Sequence, residues 1–366
     1  MKRLKTLPAM LLALALCLAG MAAMAEETCL DRHGALHVSG TGLADEAGAP
    51  VQLRGVSTHG LAWFPEFVNE AAFRTIRDDW GANAVRLAMY TCESGGYVTG
   101  GDRDALEALI DRGVDLCGQL GMYAIIDWHI LSDGDPHTHA DAAEDFFDRM
   151  SARYAGRPHV LYELCNEPNG KGVNWLVVRD YAERIIPVIR ANAPEAVIIC
   201  GTPDWSQDVD AVAADPIDDA NTIYALHFYA ASHRIALRGR VKKALKAGVQ
   251  VFVSEFGICD ASGGGAIDVN SAAAWRELIE DNNLSYMAWS LSNADETAAL
   301  IRADCPKTSD WTEDELSETG RWLRGVMRED GEKTDLSGRQ GLPQSRYACQ
   351  LPLGGSLLDS LRQCTF

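Results

Sequence analysis

The chain has 366 residues, with 33 lysines and arginines against 52 aspartates and glutamates and a formal net charge of −19. A surface this acidic repels phosphate backbones and anionic lipid, which excludes nucleic acid and membrane surfaces as expected partners and suits a neutral or cationic ligand. The 10 cysteines show no CxxC spacing, so they do not read as a zinc-binding set.

Residues 1–25, MKRLKTLPAMLLALALCLAGMAAMA, combine a basic start, an apolar middle and the ending Ala23-Met24-Ala25. That is the pattern of a secretory signal peptide cleaved near Ala25. The apolar run is short for a span of about 20 residues, and no later segment is long and apolar enough to cross a membrane. Export to the periplasm or the medium is therefore expected. It would permit a disulfide between Cys349 and Cys364, which flank a late loop.

Residues 31–50 contain LHVSGTGLADEAGAP and read as a small hairpin. From residue 51 onward, apolar runs alternate with segments of helical period. VQLRGVS (51–57) precedes a helix near 69–80, and NAVRLAMY (83–90) a helix near 102–120. MYAIIDWH (122–129) precedes a helix near 140–155, and VLYELCNE (160–167) one near 174–192. AVIICGT (196–202) is followed by a short helix at most. TIYALHFY (222–229), VQVFVSEFG (249–257) and YMAWSLSN (286–293) precede helices near 234–247, 271–281 and 315–327. Near-continuous apolar strands are those with both faces covered. Eight such units in this length predict an α/β fold, a (β/α)8 TIM barrel as a single domain over 26–328, with the hairpin closing its bottom. An open doubly wound sheet would carry a Gly-rich phosphate loop after its first strand, and RGVSTHG is not one. Residues 329–366 are left as an unassigned extension.

In such a barrel the chemistry collects at the C-terminal strand ends. Those ends hold His59, Arg86 to Tyr90, Asp127 to His129, Asn166-Glu167, His227, Tyr229, Glu255 and Trp289, with Trp205 just beyond. Glu167 and Glu255 end the fourth and seventh strands, and only the fold can bring them together. Two facing carboxylates suit glycoside cleavage, one protonating the leaving oxygen while the other attacks or activates water. Glu163, on the same strand face as Glu167, is expected roughly 13 Å below it at roughly 3.3 Å per residue, in a structural ion pair or hydrogen bond. Pro168 ends the ladder because it has no N–H. HILSDGDPHTHAD packs His129, Asp133, Asp135, His137 and His139 together, but its Gly and Pro make it a loop without a helical zinc spacing. No catalytic metal and no cofactor are expected; a structural calcium is left open.

LYELCNEPNG, VSEFG, RGVSTHGLAWFP, AVRLAMYT, IIDWHILSDGDP, IYALHFYA, GTPDWSQDV and MAWSLSN, in that family's order over about 50–325, resemble glycoside hydrolase family 5, in its bacterial endo-β-1,4-glucanase (cellulase) branch. The resemblance implies a monomeric, secreted, retaining endoglucanase acting on cellulose-like β-glucan chains. It implies Glu167 as acid/base and Glu255 as nucleophile, with Arg86 and Tyr229 bonded to Glu255 and Asn166 to the sugar 2-hydroxyl. His129, His227 and Trp289 would form the cleaved sugar's subsite, and His59, Trp63, Tyr90, Trp205 and Glu296 would extend the groove. Flat indoles suit the apolar face of a β-linked glucose, and its edge hydroxyls need polar partners. One departure stands out. The branch usually reads WSLSDK after the last strand, whereas here Asn293 and Ala294 replace the Asp and Lys and Glu296 is kept. The Lys commonly bonds sugar hydroxyls, so mixed-linkage glucan, mannan or xyloglucan stand as alternative substrates. A carbohydrate-binding protein without catalysis and a metal-dependent hydrolase are the rival classes.

Overall fold

The computed structural model describes residues 27–340. The signal peptide expected over 1–25 and the pairing of Cys349 with Cys364 lie outside the described residues. The chain divides into two units, Met1–Arg328 and Glu329–Phe366.

After a short helix, α1 (Cys29–His33), the strands β1 (Leu36–Ser39), β2 (Gly42–Asp45) and β3 (Pro50–Val51) form a small antiparallel sheet. Eight further strands follow: β4 (Arg54–Thr58), β5 (Ala84–Tyr90), β6 (Tyr123–His129), β7 (Val160–Glu163), β8 (Ile198–Cys200), β9 (Thr222–Tyr229), β10 (Val251–Gly257) and β11 (Tyr286–Leu291). They pair in parallel with their neighbours in chain order, and β11 pairs with β4, closing the barrel. The outer helices are α2 (Glu70–Thr75), α3 (Arg103–Leu120), α4 (Ala140–Arg153), α5 (Trp175–Asn192), α6 (Ile235–Lys246), α7 (Val269–Asp281) and α8 (Glu318–Gln340). The fold is the (β/α)8 barrel that the alternating pattern predicts.

Local chemistry sets these boundaries. Asn69, Asp102, Asn174 and Asp268 each accept a backbone N–H at a helix start, which satisfies a donor the helix leaves unpaired. After β8 no long helix follows, as its sequence suggests. Instead Asp204, Trp205 and Ser206 take left-handed backbone angles with φ of 58°, 57° and 56°. The small sheet plugs the lower barrel. Leu36, Leu43, Val51 and Leu53 share one apolar cluster with Tyr123, Ile125, Leu161, Ile223 and Phe252. Thr41 O accepts from Val251 N at 3.1 Å and Asn221 Oδ1 accepts from Val38 N at 2.7 Å, which locks the plug to β10 and to the start of β9. Among the described residues no helix is long and apolar enough to cross a membrane.

One expectation fails in an instructive way. β7 stops at Glu163 rather than running on to Glu167. Beyond it the chain leans toward β6, with Asn166 N donating to Trp128 O at 3.2 Å and Glu167 N to Ile130 O at 3.3 Å. Gly201 permits this bend, since a Cβ there would lie 2.1 Å from Cys165 O. Glu163 and Glu167 are therefore not two rungs of one strand. Both approach one imidazole, His227, whose Nδ1 lies 3.0 Å from Glu167 Oε1 and whose Nε2 lies 3.8 Å from Glu163 Oε1.

Candidate active site

Strand register builds the centre. Ser57 lies beside Arg86, Asp127 beside Glu163, and His227 beside Glu255 across adjacent ladders. Arg86 is wholly buried and gathers the layer. Its Nε donates to Glu163 Oε2 at 2.6 Å, Nη1 to Glu255 Oε2 at 3.2 Å, and Nη2 to Asn166 Oδ1 at 2.6 Å. Nη2 also lies 3.0 Å from Asp127 Oδ2. Burial works against the cation, but Asp127, Glu163 and Glu255 outweigh it and hold the guanidinium above its ordinary value. An Arg suits this place because its fork of donors is rigid and always charged.

Glu255 accepts from both sides: Arg86 at Oε2, and the Tyr229 hydroxyl at Oε1 at 2.8 Å. Burial pushes its carboxyl up to about 7, with the nearby Glu167 adding to the push, against the pull of His227, Arg86 and the phenol. Both of its oxygens are thus occupied by donors, the arrangement an anion requires. Burial likewise holds the Tyr229 phenol well above its usual range, so it stays a donor. Among the described residues Glu167 pairs with His227 Nδ1, while His227 Nε2 faces Ser254 Oγ at 3.0 Å. Burial lowers the His227 pKa, yet Glu255 and the bonds to Glu163 and Glu167 prevail and raise it to about 9. Carboxylate oxygens of Glu167 and Glu255 and a ring nitrogen of His227 all lie within 4.8 Å of one another.

A second pair lies beside it. Burial pushes the Asp127 carboxyl up against the pull of Arg86, and pushes the His129 imidazole down. Asp127 Oδ2 and His129 Nδ1 are 2.6 Å apart. His59 is held down to about 4 by burial and by His129, and it accepts from Gly60 N through Nδ1. Its other nitrogen lies 3.7 Å from Glu296 Oε1.

A cleft of about 590 Å³ opens above this layer. It is lined by ten of the residues singled out in the sequence: His59, Tyr90, His129, Glu167, Trp205, His227, Tyr229, Glu255, Trp289 and Glu296. Trp289 stacks on His129 at 5.3 Å, and Tyr90 lies 4.1 Å from the same ring. Trp205 is 44% exposed on the left-handed turn, whose backbone is tied to the Glu167 loop: Trp205 N donates to Pro168 O and Ser206 Oγ to Asn166 O. Three expected residues stand outside the lining. Arg86 lies beneath the floor. Asn166 lies behind Glu167, its Oδ1 taken by Arg86 and its Nδ2 donating to Ile130 O. Trp63 leans on Tyr90 at 4.5 Å at the margin, its indole N–H on Ser94 O. Ala294 is not in the lining either, and the Asn293 amide is turned to Cys305 O.

The sequence reading missed Asp204, Gln207, His233 and the stretch 261–263, all of which line the cleft. His233 lies only four residues beyond the strand-end Tyr229, whose backbone N–H it accepts at 2.9 Å. A reading extended past each strand end into its loop finds it; the others follow only from the loop paths.

Fold and site together define a (β/α)8 barrel with paired carboxylates facing each other in an aromatic-walled cleft. The family model described as cellulase (glycosyl hydrolase family 5) matches residues 44–295. The chain belongs to glycosyl hydrolase family 5. It is similar to endoglucanase A of Evansella cellulosilytica, with 45% identity over 77% of this chain and 57% of that protein. It is also similar to endoglucanase A of Butyrivibrio fibrisolvens, with 44% identity over 80% of this chain and 68% of that one. The chain thus spans between half and about two thirds of the length of these relatives. Among solved structures, cellulase Cel5C_n superposes with a TM-score of 0.80 at 43% identity, covering 82% of this chain and 94% of that one. The catalytic domain of a Thermobifida fusca endoglucanase, solved in complex with cellotetraose, gives a TM-score of 0.78 at 36% identity, covering 82% and 99%.

Proposed function

We propose that the protein is a secreted, retaining endo-β-1,4-glucanase that cuts within cellulose-like chains by double displacement. The observation that carries the mechanism is the approach of Glu167 and Glu255, with carboxylate oxygens within 4.8 Å. Retaining glycosidases hold their carboxyls about 5–5.5 Å apart, whereas inverting ones need roughly 6.5–9.5 Å to admit water between acid and base. Relatives named endoglucanases and the cellotetraose bound in a neighbour's structure support the substrate class.

Glu255 is the nucleophile. Its carboxylate forms a bond to the anomeric carbon as the glycosidic C–O bond breaks, and Glu167 passes its proton to the departing oxygen. In the second step Glu167 takes a proton from water, the water oxygen bonds the anomeric carbon, and Glu255 leaves as the carboxylate. His227 Nδ1 lies 3.0 Å from Glu167 Oε1 and holds that carboxyl in place. Arg86 and Tyr229 hold the Glu255 oxygens so that only one geometry of attack is offered. Trp289 and His129 supply the sugar platform, and Trp205, His59, Tyr90 and Glu296 the groove on either side, with Trp63 at its margin; Asn166, whose Oδ1 is held by Arg86 and whose Nδ2 spends one N–H on Ile130 O, has its second amide N–H left for the sugar 2-hydroxyl. The monomer suffices, since every group comes from one barrel.

Reducing-sugar release from carboxymethyl cellulose, barley β-glucan, lichenan, mannan, xylan and xyloglucan tests the activity. The β-1,4-glucans are expected to lead, and a preference for mannan would overturn the substrate. Glu255→Ala is expected to abolish turnover and to regain it with azide, giving an inverted glycosyl azide. Activity in Glu255→Ala without azide would overturn the assignment.

A further inference from the structure

A second group of titratable side chains lies beside the cleft and plays no part in the mechanism above. Cys92 and Glu93 follow β5, and Asp133 follows β6. One atom from each lies within 4.8 Å of the other two. The two carboxylates are oriented alike. Glu93 Oε1 accepts from Ser132 N at 2.9 Å, while Glu93 Oε2 is buried with no partner. Asp133 Oδ2 accepts from the Thr91 hydroxyl at 2.6 Å and Leu131 N at 3.4 Å, while Asp133 Oδ1 is buried with no nitrogen or oxygen donor. The Asp133 side chain is only 1% exposed, and His139 Nε2 stands off at 3.7 Å. Burying two carboxylate oxygens without a nitrogen or oxygen donor in hydrogen-bond reach is costly, and fixing each acid by its other oxygen is how outer partners orient metal ligands.

We propose that Cys92, Glu93 and Asp133 form a binding site for a thiophilic divalent cation, zinc by preference, which ties the loop after β5 to the loop after β6. One sulfur and two oxygens suit zinc, which accepts thiolate and carboxylate in a tetrahedral set. They do not suit calcium, which takes six to eight oxygens. The fourth position falls to water or to His139. Burial, with Asp133 adding to it, pushes the Cys92 thiol up to about 12, so the empty site keeps its proton. On binding, the S–H proton leaves to solvent and a sulfur–zinc bond replaces it. The same loop carries Ser94, whose carbonyl holds the Trp63 indole at 2.8 Å, so the ion would stiffen one margin of the groove.

The test uses the whole protein, stripped with EDTA, desalted, and then loaded with zinc or cobalt. The expected result is one equivalent of zinc retained through gel filtration and a rise in Tm of roughly 5 °C at saturating metal. Cobalt is expected to give a thiolate-to-metal charge-transfer band in the near ultraviolet. Cys92→Ser should lose both the retained zinc and the band, whereas Glu255→Gln should keep them, which separates this site from the Glu167–His227–Glu255 cluster. A cobalt spectrum without the thiolate band, unchanged zinc retention in Cys92→Ser, or an equal Tm rise with calcium would each overturn the proposal. The cobalt spectrum of the unaltered protein decides the matter even if the variant fails to fold.

Discussion

Tyr229→Phe removes one oxygen and tests how Glu255 is kept ionised. The phenol donates to Glu255 Oε1 at 2.8 Å in a buried setting at the cleft wall. A hydrogen bond to a charged group is worth about 1.5–3 kcal/mol, and one pKa unit corresponds to about 1.4 kcal/mol. The Glu255 carboxyl, already pushed up to about 7 by burial, should therefore rise by about one to two further units. On the acid limb each unit of rise cuts the ionised fraction about tenfold, so kcat/KM there should fall by about 10- to 100-fold. The assay is kcat/KM on a soluble cello-oligosaccharide across pH, since its acid limb reports the free enzyme's base. The acid limb should move up by one to two units, and much of the lost activity should return at alkaline pH. A uniform drop with the acid limb unmoved would refute the reasoning and place the phenol's role elsewhere than on Glu255.

Trp205→Gly should separate binding from stability: KM for longer oligosaccharides rises several-fold, while Tm stays level or climbs, because glycine relieves a φ of 57°. A marked loss of Tm would mean the indole packs rather than binds. Gly201→Ala forces a Cβ to 2.1 Å from Cys165 O, so the Asn166–Glu167 bend must shift, and we expect a loss of about 1–3 kcal/mol in urea unfolding together with a fall in kcat; a wild-type kcat would show that the bend does not position Glu167. The raised His227 pKa stabilises the fold fully below its unfolded value of about 6.5, and that contribution is lost as pH rises through about 9. Tm should therefore fall between those limits, and His227→Asn should flatten the slope; an unchanged slope would remove His227 as its cause.

The barrel was legible because each of its strands is an apolar run and every run but that of β8 is followed by a helical period and, at several places, by a capping Asn or Asp. The centre was legible because polar residues ending buried strands have few other uses. What period alone could not show was where a strand stops. VLYELCNE reads as one strand, but the ladder ends at Glu163, because the close approach of Gly201 to Cys165 lets the chain bend toward β6. That approach depends on a residue in another unit of the barrel. The same holds for the depth of Glu163, which alternation placed far beneath the site: it makes the ion pair expected of it, with Arg86, but within the central layer. His233 and Asp204 were hidden because loop paths, not strand alternation, bring them to the cleft. The Cys92, Glu93 and Asp133 group was hidden for a related reason: its residues carry no metal spacing in the chain, and two adjacent strand ends bring them together.

The central claim is double displacement between Glu167 and Glu255, and the anomer formed first tests it most directly. Proton NMR of a cello-oligosaccharide during the first moments of hydrolysis, before mutarotation, reads the configuration of the new reducing end. The account predicts the β-anomer. Initial release of the α-anomer would mean a single displacement by water, and would contradict the roles assigned to both carboxylates.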